Sequence, residues 1–560
     1  MRTKLSKLIA IAFILLTTLG GAISGYAAPG SRPANGDLTI HKYWAETSSD
    51  IGNEGSGEKL PDGTITNPAI KGIQFDVWQV KVQSPNNSNA PETPPSEKDN
   101  WNYSRSGSVL TVSKDSTIYQ YDLTNPKNGK TNEDGELVFS PLQAGYYYVE
   151  ENLTASAGYT VKGYEAEDVK KKITSPAKPF IVAVPMTNPA GDGWNSDVHV
   201  YPKNQGLNPE KKPEVPSVNV GDEVAWTITA NVPSDFKDYV TFTITDELDK
   251  RLNFVYDSGD INASVVVTGI GASSNVLVTL DKGTDYTVTH SPVAGSDPEK
   301  FIVSLTGAGI QKLAGTQNIV KISVSFKTIV NGNITSEDGS DNKIKNEATI
   351  EFTNTSSLGG DKTTSPPSEV DTGEIFIDKK DSDGTTNLKG AEFQLALSET
   401  AANAGEFIKV KVNAENKIID ILFPNDSNYN DSDAYPWVVR PHETKEEKLG
   451  LREEDSIKSF YATTFEGLQT HTVSNDSPVW NSYWVAETKA PAKYNLLDGP
   501  VEVTFKDELT NYVLSETIVN KKGFTLPNTG GVGTILLVVF GIVLIGLAII
   551  LTMNKKKKTA

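Results

Sequence analysis

Residues 38–42 read Leu-Thr-Ile-His-Lys, with two apolar residues and one lysine at alternate positions. Side chains of a strand alternate between its two faces, so Leu38, Ile40 and Lys42 share one face. Residues 375–379, Ile-Phe-Ile-Asp-Lys, repeat the arrangement and again end on an in-phase lysine. Burying an unpaired ammonium costs several kcal/mol. Each stretch therefore predicts a β-strand whose lysine needs a partner in the core.

The rest of the chain also favours β structure. Short segments rich in Val, Ile, Thr, Tyr and Phe alternate with Gly, Asn, Asp and Pro, a pattern typical of β-sandwiches. Two Pro- and Gly-rich stretches, 206–217 and 355–373, are typical of linkers. A chain of 560 residues is too long for one core. We expect three β domains in series, at 28–205, 206–371 and 372–525.

Composition excludes several classes of function. The formal net charge of −19 argues against nucleic-acid binding, and the chain has no cysteine for disulfide reinforcement. No P-loop, HExxH or GxSxG motif occurs, and the five histidines lack metal-ligand spacing. His41 and His199 are expected on the outward faces of their strands. We therefore predict no enzyme, no cofactor and no metal site.

The N-terminal segment has the layout of a signal peptide. Basic residues precede an apolar run over 8–19, and Gly25-Tyr26-Ala27 offers a peptidase site. The apolar run is too short to span a membrane stably. We predict a signal peptide over residues 1–27 and hence export.

The C-terminal segment combines LPNTG at 526–530 with an apolar stretch over 532–553 and lysines at 555–558. The apolar stretch is long enough to be a transmembrane helix, and the basic tail would stay in the cytoplasm. In this order the three features resemble the cell-wall sorting signal of Gram-positive surface proteins, here 526–560. The resemblance implies sortase cleavage between Thr529 and Gly530, through a thioester, with Leu526 and Pro527 as recognition positions.

Acids and asparagines recur in phase with apolar residues in each predicted domain. These residues are Glu151 and Asn204, Asp246 and Asn346, and Glu487 and Asn520. Burial lowers the pKa of a lysine and raises that of an acid, so both can be neutral in a core. The amine can then attack the asparagine amide, ammonia leaves, and an amide crosslink remains. Taken singly, each residue could equally be a snorkelling lysine, a surface acid or a turn asparagine.

Together these sets resemble the intramolecular isopeptide domains of Gram-positive pilins. The first and third domains look like immunoglobulin-like, Cna-B-type sandwiches, and the middle one, with ITDEL and NEATI, resembles the pilin second domain. The resemblance implies the crosslinks Lys42–Asn204 with Glu151, Lys379–Asn520 with Glu487, and Lys211–Asn346 with Asp246 as the acid. In the middle domain alternation cannot separate Lys211 from Lys212, and Lys211 is preferred. In the other two domains, phase with the apolar residues favours Glu151 over Glu150 and Lys379 over Lys380.

Residues 194–204, WNSDVHVYPKN, fit the pilin motif WxxxVxVYPK at every fixed position. The resemblance implies that Lys203 supplies the amine that resolves the sortase thioester, joining Thr529 of one subunit to Lys203 of the next. If Asn204 faces the core, its neighbour Lys203 faces outward, where an enzyme could reach it.

The resemblance as a whole implies a SpaA-type major pilin, a structural polymer subunit of the cell surface. Its expected partners are a class C sortase, a housekeeping sortase, identical subunits, peptidoglycan, minor pilins and host surface ligands. The alternative is a monomeric LPxTG-anchored adhesin that binds a host ligand through a long loop, and Lys203 separates the two functions.

Overall fold

The computed structural model describes residues 30–52, 55–166, 170–255, 265–291, 299–334, 342–355, 359–443, 449–454, 456–523 and 532–556. The chain divides into two compact units. The first comprises Met1–Glu214, Glu223–Ile329 and Lys345–Glu369, and the second comprises Val215–Asp222, Val330–Ile344 and Val370–Ala560. Strands dominate both units, which confirms the all-β prediction.

The N-terminal region builds two facing sheets. Its strands are β1 (Asn35–His41), β2 (Tyr43–Trp44), β3 (Ile70–Lys71), β4 (Gln74–Val82), β5 (Asn102–Ser106), β6 (Val109–Lys114), β7 (Thr117–Lys130), β8 (Glu136–Gln143), β9 (Gly145–Asn152), β10 (Thr160–Val161), β11 (Phe180–Val184), β12 (Met186–Thr187), β13 (Trp194–Asn195), β14 (Asp197–Val200) and β15 (Lys203–Asn204). The sheet β14-β1-β8 faces β11-β9-β4-β7-β6-β5. Leu38, Ile40, Phe75, Val149 and Val198 fill the space between them.

The alternation predicted for residues 38–42 is present, but its outward face is covered. His41 and His199 are buried, and His41 Nε2 lies 2.8 Å from His199 Nδ1. Tyr201 stacks on His41, and the backbone N–H of His199 donates to the carbonyl of Gly57 at 2.9 Å. Both histidines lie on the strand face opposite the core residues Leu38 and Ile40, and they are buried because a segment distant in sequence packs over that face.

The middle region also consists of two larger sheets. Its strands are β16 (Glu210–Pro213), β17 (Glu223–Asn231), β18 (Tyr239–Glu247), β19 (Leu252–Phe254), β20 (Val266–Gly271), β21 (Val276–Thr279), β22 (Tyr286–Ser291), β23 (Lys300–Leu305), β24 (Ile319–Val330), β25 (Lys343–Asn346), β26 (Ala348–Asn354), β27 (Gly359–Thr364) and β28 (Ser368–Asp371). The main orders are β16-β17-β24-β20-β21 and β22-β23-β18-β26-β27. Helix α1 (Gly307–Gly315) is capped by Thr306, whose hydroxyl accepts from the Gly309 N–H at 3.2 Å.

The C-terminal region places its first and last strands side by side. Its strands are β29 (Gly373–Asp381), β30 (Glu392–Ala396), β31 (Lys409–Val412), β32 (Ile418–Leu422), β33 (Tyr435–Val439), β34 (Gly450–Glu454), β35 (Ile457–Ala462), β36 (Phe465–Leu468), β37 (His471–Ser474), β38 (Ser477–Trp480), β39 (Ser482–Lys489), β40 (Val501–Thr504) and β41 (Val513–Asn520), with helix α2 (Glu399–Ala404). The sheet β36-β29-β41 contains a parallel β29–β41 pair. Parallel neighbours need a long crossover, here nearly the whole region.

The last described element is helix α3 (Val532–Lys556), which covers the apolar stretch predicted to lie in the membrane. Across the described ranges, no helix has both the length and the apolar character of a membrane span.

Candidate functional sites

The first candidate site joins three side chains from different strands. Lys42 Nζ donates to Asn204 Oδ1 at 2.5 Å and to Glu151 Oε2 at 2.8 Å. Asn204 Nδ2 donates to Glu151 Oε1 at 2.6 Å. All three side chains are buried. The acid therefore bridges the attacking amine and the amide nitrogen that would leave.

The surroundings of Lys42 favour its neutral amine. Burial lowers the pKa of Lys42, and Glu151 opposes that shift. The ring of Phe75 lies 5.5 Å from Lys42 Nζ, and Phe75 pairs with Glu151 in the β4–β9 register. A neutral amine is the nucleophilic form, so this environment suits attack on the asparagine amide.

The third candidate site repeats the first. Lys379 Nζ donates to Asn520 Oδ1 and lies 3.5 Å from Glu487 Oε1. Asn520 Nδ2 donates to Glu487 Oε1 at 2.8 Å. Burial lowers the pKa of Lys379, and Phe393, the register partner of Glu487, has its ring 5.7 Å from the amine.

The strand register explains the likeness of these two sites. Lys379 pairs with Ile518 in the parallel β29–β41 ladder, so Asn520 lies two positions beyond the partner of the lysine. In the N-terminal region Lys203 pairs with Tyr43 in the parallel β2–β15 pair, which gives Lys42 and Asn204 the same offset. Parallel first and last strands thus bring each lysine to its asparagine.

The middle candidate site uses antiparallel strands. Lys211 on β16 is fully buried and donates to Asp246, whereas the side chain of Lys212 is 76% exposed. Burial lowers the pKa of Lys211 to about 8 and raises that of Asp246. Trp226 and Phe326 place their rings 5.0 and 5.2 Å from the Lys211 amine. Of the two lysines that alternation left open, Lys211 is the one beside the acid.

Asn346 is the last residue of β25 and is buried in the middle region, two positions before Ala348 of β26, which pairs with Asp246. Among the described residues, its amide oxygen and nitrogen have no hydrogen-bond partner. Buried amides are almost always hydrogen-bonded. Asn346 differs in this respect from Asn204 and Asn520, whose amides are hydrogen-bonded to the lysine and the acid of their sites.

Lys203 lies on the opposite face of its strand from Asn204, as alternation predicts, but it is half-buried rather than fully exposed. Its Nζ donates to the carbonyl oxygen of Ile51 at 2.8 Å and borders a cavity of about 430 Å³. Burial lowers the pKa of Lys203, and Asp50 opposes this shift. The lysine is therefore held in a solvent-connected recess with a weakened preference for the charged form.

The residues next to two of the candidates lie on the opposite faces of their strands. Glu150 points away from Lys42 and accepts from Arg105 Nε at 2.6 Å. Lys380 lies on the face opposite Lys379, with its Nζ 3.2 Å from Asp378 Oδ1. Sequence reasoning did not assign a role to the aromatic rings near the amines, although Phe75 and Phe393 end the similar stretches 72–75 and 390–393.

The sorting residues Leu526, Pro527, Thr529 and Gly530 and the signal peptide 1–27 lie outside the described residues. No group of three or more His, Cys, Asp or Glu side chains suited to a metal ion occurs in the described part of the chain.

Comparison with known families identifies the class of protein in which such sites belong. Residues 33–205 match the family described as Gram-positive pilin subunit D1, N-terminal domain, and residues 518–560 match the LPXTG cell wall anchor motif. The chain thus carries the N-terminal domain of Gram-positive pilin subunits and a cell-wall anchor. This pilin is anchored to the cell wall as part of a surface pilus, which implies sortase processing and polymerisation.

The pilin is similar to known fimbrial proteins over most of its length. Fimbrial subunit type 2 of Actinomyces naeslundii is 26% identical over 562 residues, covering 92% of this chain and 88% of that protein. Fimbrial subunit type 1 of Actinomyces viscosus is 27% identical over 421 residues, covering 69% and 71%. The full-length major pilin SpaD from Corynebacterium diphtheriae has a TM-score of 0.48 at 24% identity, covering 88% and 98%.

The three sites predict a mass deficit. The folded protein should weigh less than its sequence by one ammonia for each crosslink, because each amide exchange releases the asparagine nitrogen. Glu151→Gln, Asp246→Asn and Glu487→Gln should each restore one ammonia, as intact mass spectrometry would measure.

Glu150→Gln is the matched control for the first acid, because Glu150 pairs with Arg105 outside the site. It should keep the full deficit. A wild-type mass equal to the sequence mass would contradict the crosslinks.

The lowered pKa of Lys211 predicts a pH-dependent stability when the crosslink is blocked. In Asn346→Ala, folded Lys211 loses its proton near pH 8, whereas the unfolded chain keeps it up to about 10.5. Unfolding between these values takes up a proton, so the free energy of unfolding should rise with pH in that window. Denaturant unfolding at several pH values would measure the slope.

The comparison variant is Asn346→Ala combined with Lys211→Met, which should lack that rise. The same slope in both variants would show that Lys211 keeps an ordinary pKa.

Proposed function

We propose that this pilin is the SpaA-type major subunit of the pilus shaft, with one intramolecular Lys–Asn crosslink in each of three domains at 28–205, 206–371 and 372–525. The observation that carries the crosslinks is the convergence of a buried lysine and a carboxylic acid in all three regions, with a buried asparagine beside them. The chain contains no cysteine, so these amides replace disulfides as its covalent reinforcement.

The crosslinks suit a shaft because of which strands they join. Lys379 and Asn520 lie on the first and last strands of their region, which run in parallel. Tension on a domain acts through these two strands. A covalent bond between them carries the tension directly and protects the hydrogen-bonded sheets from separation.

Lys203 is the proposed acceptor in polymerisation. It follows the motif strand β14, lies within the region that matches the pilin family, and reaches a cavity of about 430 Å³. A lowered lysine pKa supplies more neutral amine at a given pH, which favours attack on an acyl thioester. A class C sortase would join Thr529 of one subunit to Lys203 of the next.

The remaining partners follow from this assignment. A housekeeping sortase would transfer the basal subunit to peptidoglycan. Minor pilins and host surface ligands complete the proposed set, and no cofactor is required because acyl transfer uses only the amine and the thioester.

Polymerisation predicts a covalent ladder. Cells that express the pilin with its sortase should release SDS-resistant multimers after wall digestion, since each link is an amide bond. Lys203→Ala should collapse the ladder to one wall-anchored band, as an immunoblot of a denaturing gel would show.

Lys178→Ala is the matched control, because Lys178 lines the same cavity and its side chain is more exposed. It should leave the ladder intact. A single band from wild-type cells would favour the monomeric adhesin, and a ladder that survives Lys203→Ala would assign the link to another lysine.

A further inference from the structure

The first site contains a backbone group in addition to the side chains of Lys42, Glu151 and Asn204. The backbone N–H of Ala177 donates to Asn204 Oδ1 at 2.8 Å and, at a longer distance of 3.2 Å, also to Glu151 Oε2. Asn204 Oδ1 is the oxygen that gains negative charge when Lys42 attacks. We propose that the Ala177 N–H is a catalytic oxyanion donor for the first crosslink, an inference that rests on the proposed crosslinking function.

The hydrogen-bond network determines which amide atom faces Ala177. Asn204 Oδ1 accepts hydrogen bonds from Lys42 Nζ and from the Ala177 N–H, while Asn204 Nδ2 donates to Glu151 Oε1. If the amide oxygen and nitrogen exchanged places, the amide hydrogens would point at the Lys42 amine and the Ala177 N–H, which are themselves donors. The carboxylate of Glu151 would then lose the hydrogen bond that Asn204 Nδ2 donates to it. The carbonyl oxygen therefore lies on the Ala177 side.

The reaction then divides its tasks between two groups. Neutral Lys42 Nζ attacks Asn204 Cγ, and the carbonyl oxygen becomes an oxyanion held by the Ala177 N–H. Glu151 takes a proton from the attacking nitrogen and delivers one to Nδ2. The Cγ–Nδ2 bond breaks, ammonia leaves, and the Nζ–Cγ amide remains. A cavity of about 340 Å³ borders Glu151 and Ala177 and gives ammonia an exit.

The local chain holds the Ala177 N–H in place. Ser175 and Gln205 exchange backbone hydrogen bonds of 3.0 and 2.9 Å, which ties the segment to the residue after Asn204. Pro176 and Pro179 flank the position and restrict backbone rotation. A donor fixed before the charge develops needs no reorganisation during the reaction.

The third site lacks this donor and provides an internal comparison. Among the described residues, Asn520 Oδ1 accepts only from Lys379, and the nearby backbone N–H of Leu497 donates to Glu487 Oε2 at 3.0 Å instead. Loss of the Ala177 N–H should therefore affect the first crosslink alone.

The test is Ala177→Pro in the full chain, made by timed cell-free translation and quenched in denaturant. Peptide mass spectrometry would follow the Lys42–Asn204 and Lys379–Asn520 crosslinks in the same molecules. Removing one oxyanion donor typically slows a reaction by about 10²-fold or more. We expect that delay for the first crosslink and an unchanged rate for the third.

Lys178→Pro is the matched control. It places a proline in the same segment but removes an N–H that makes no hydrogen bond among the described residues, so it should keep the wild-type rate. Equal delays in both variants would assign the effect to strain, and an unchanged rate in Ala177→Pro would also overturn the proposal. Absence of the first crosslink from the wild type would instead refute the crosslinking function.

Folding is checked separately in a Lys42→Ala background, which cannot form the bond. Lys42→Ala with and without Ala177→Pro should melt at the same temperature. A lower melting temperature for the double variant would show that Ala177→Pro slows the crosslink by disturbing the fold, which would count against the oxyanion role.

Discussion

The burial of a lysine amine on an apolar strand face is the constraint on which the candidate sites depend. A charged ammonium cannot remain there alone, and in each region a carboxylic acid meets it while an aromatic ring lies within about 6 Å. Burial lowers the pKa of each lysine and raises that of Asp246. Lys211 and Asp246 can therefore exchange a proton with each other inside the core. The environment that makes the charges costly also makes the amine reactive.

Much of this could be predicted from strand periodicity. Alternation selected Glu151 over Glu150 and Lys379 over Lys380, because a period of two assigns neighbours to opposite faces. It could not separate Lys211 from Lys212 next to Pro213, since that short segment lacks an apolar pattern of its own. The register with β17 and the position of Asp246 make the distinction, and both are tertiary properties.

Other features could not be predicted from the local sequence. His41 and His199 are buried by a distant segment around Gly57, which no strand pattern encodes. The donor at Ala177 is a backbone group, so its residue type carries no signature. Its place follows from the pairing of Ser175 with Gln205, a contact between segments thirty positions apart. Periodicity therefore predicts which face a side chain takes, and long-range packing decides what it meets there.

The adjacency of Lys203 and Asn204 has a mechanical consequence for the proposed polymer. A pulling force that enters at the Lys203 side chain and leaves at Thr529 passes along the covalent chain only through residues 203–529, so residues 28–202 would carry none of it. Within that line, the crosslinks would bypass residues 212–345 and 380–519. Only the stretches 203–211, 346–379 and 520–529 would then remain outside a crosslink along the line of force, so the crosslinks would limit how far each subunit can lengthen under load.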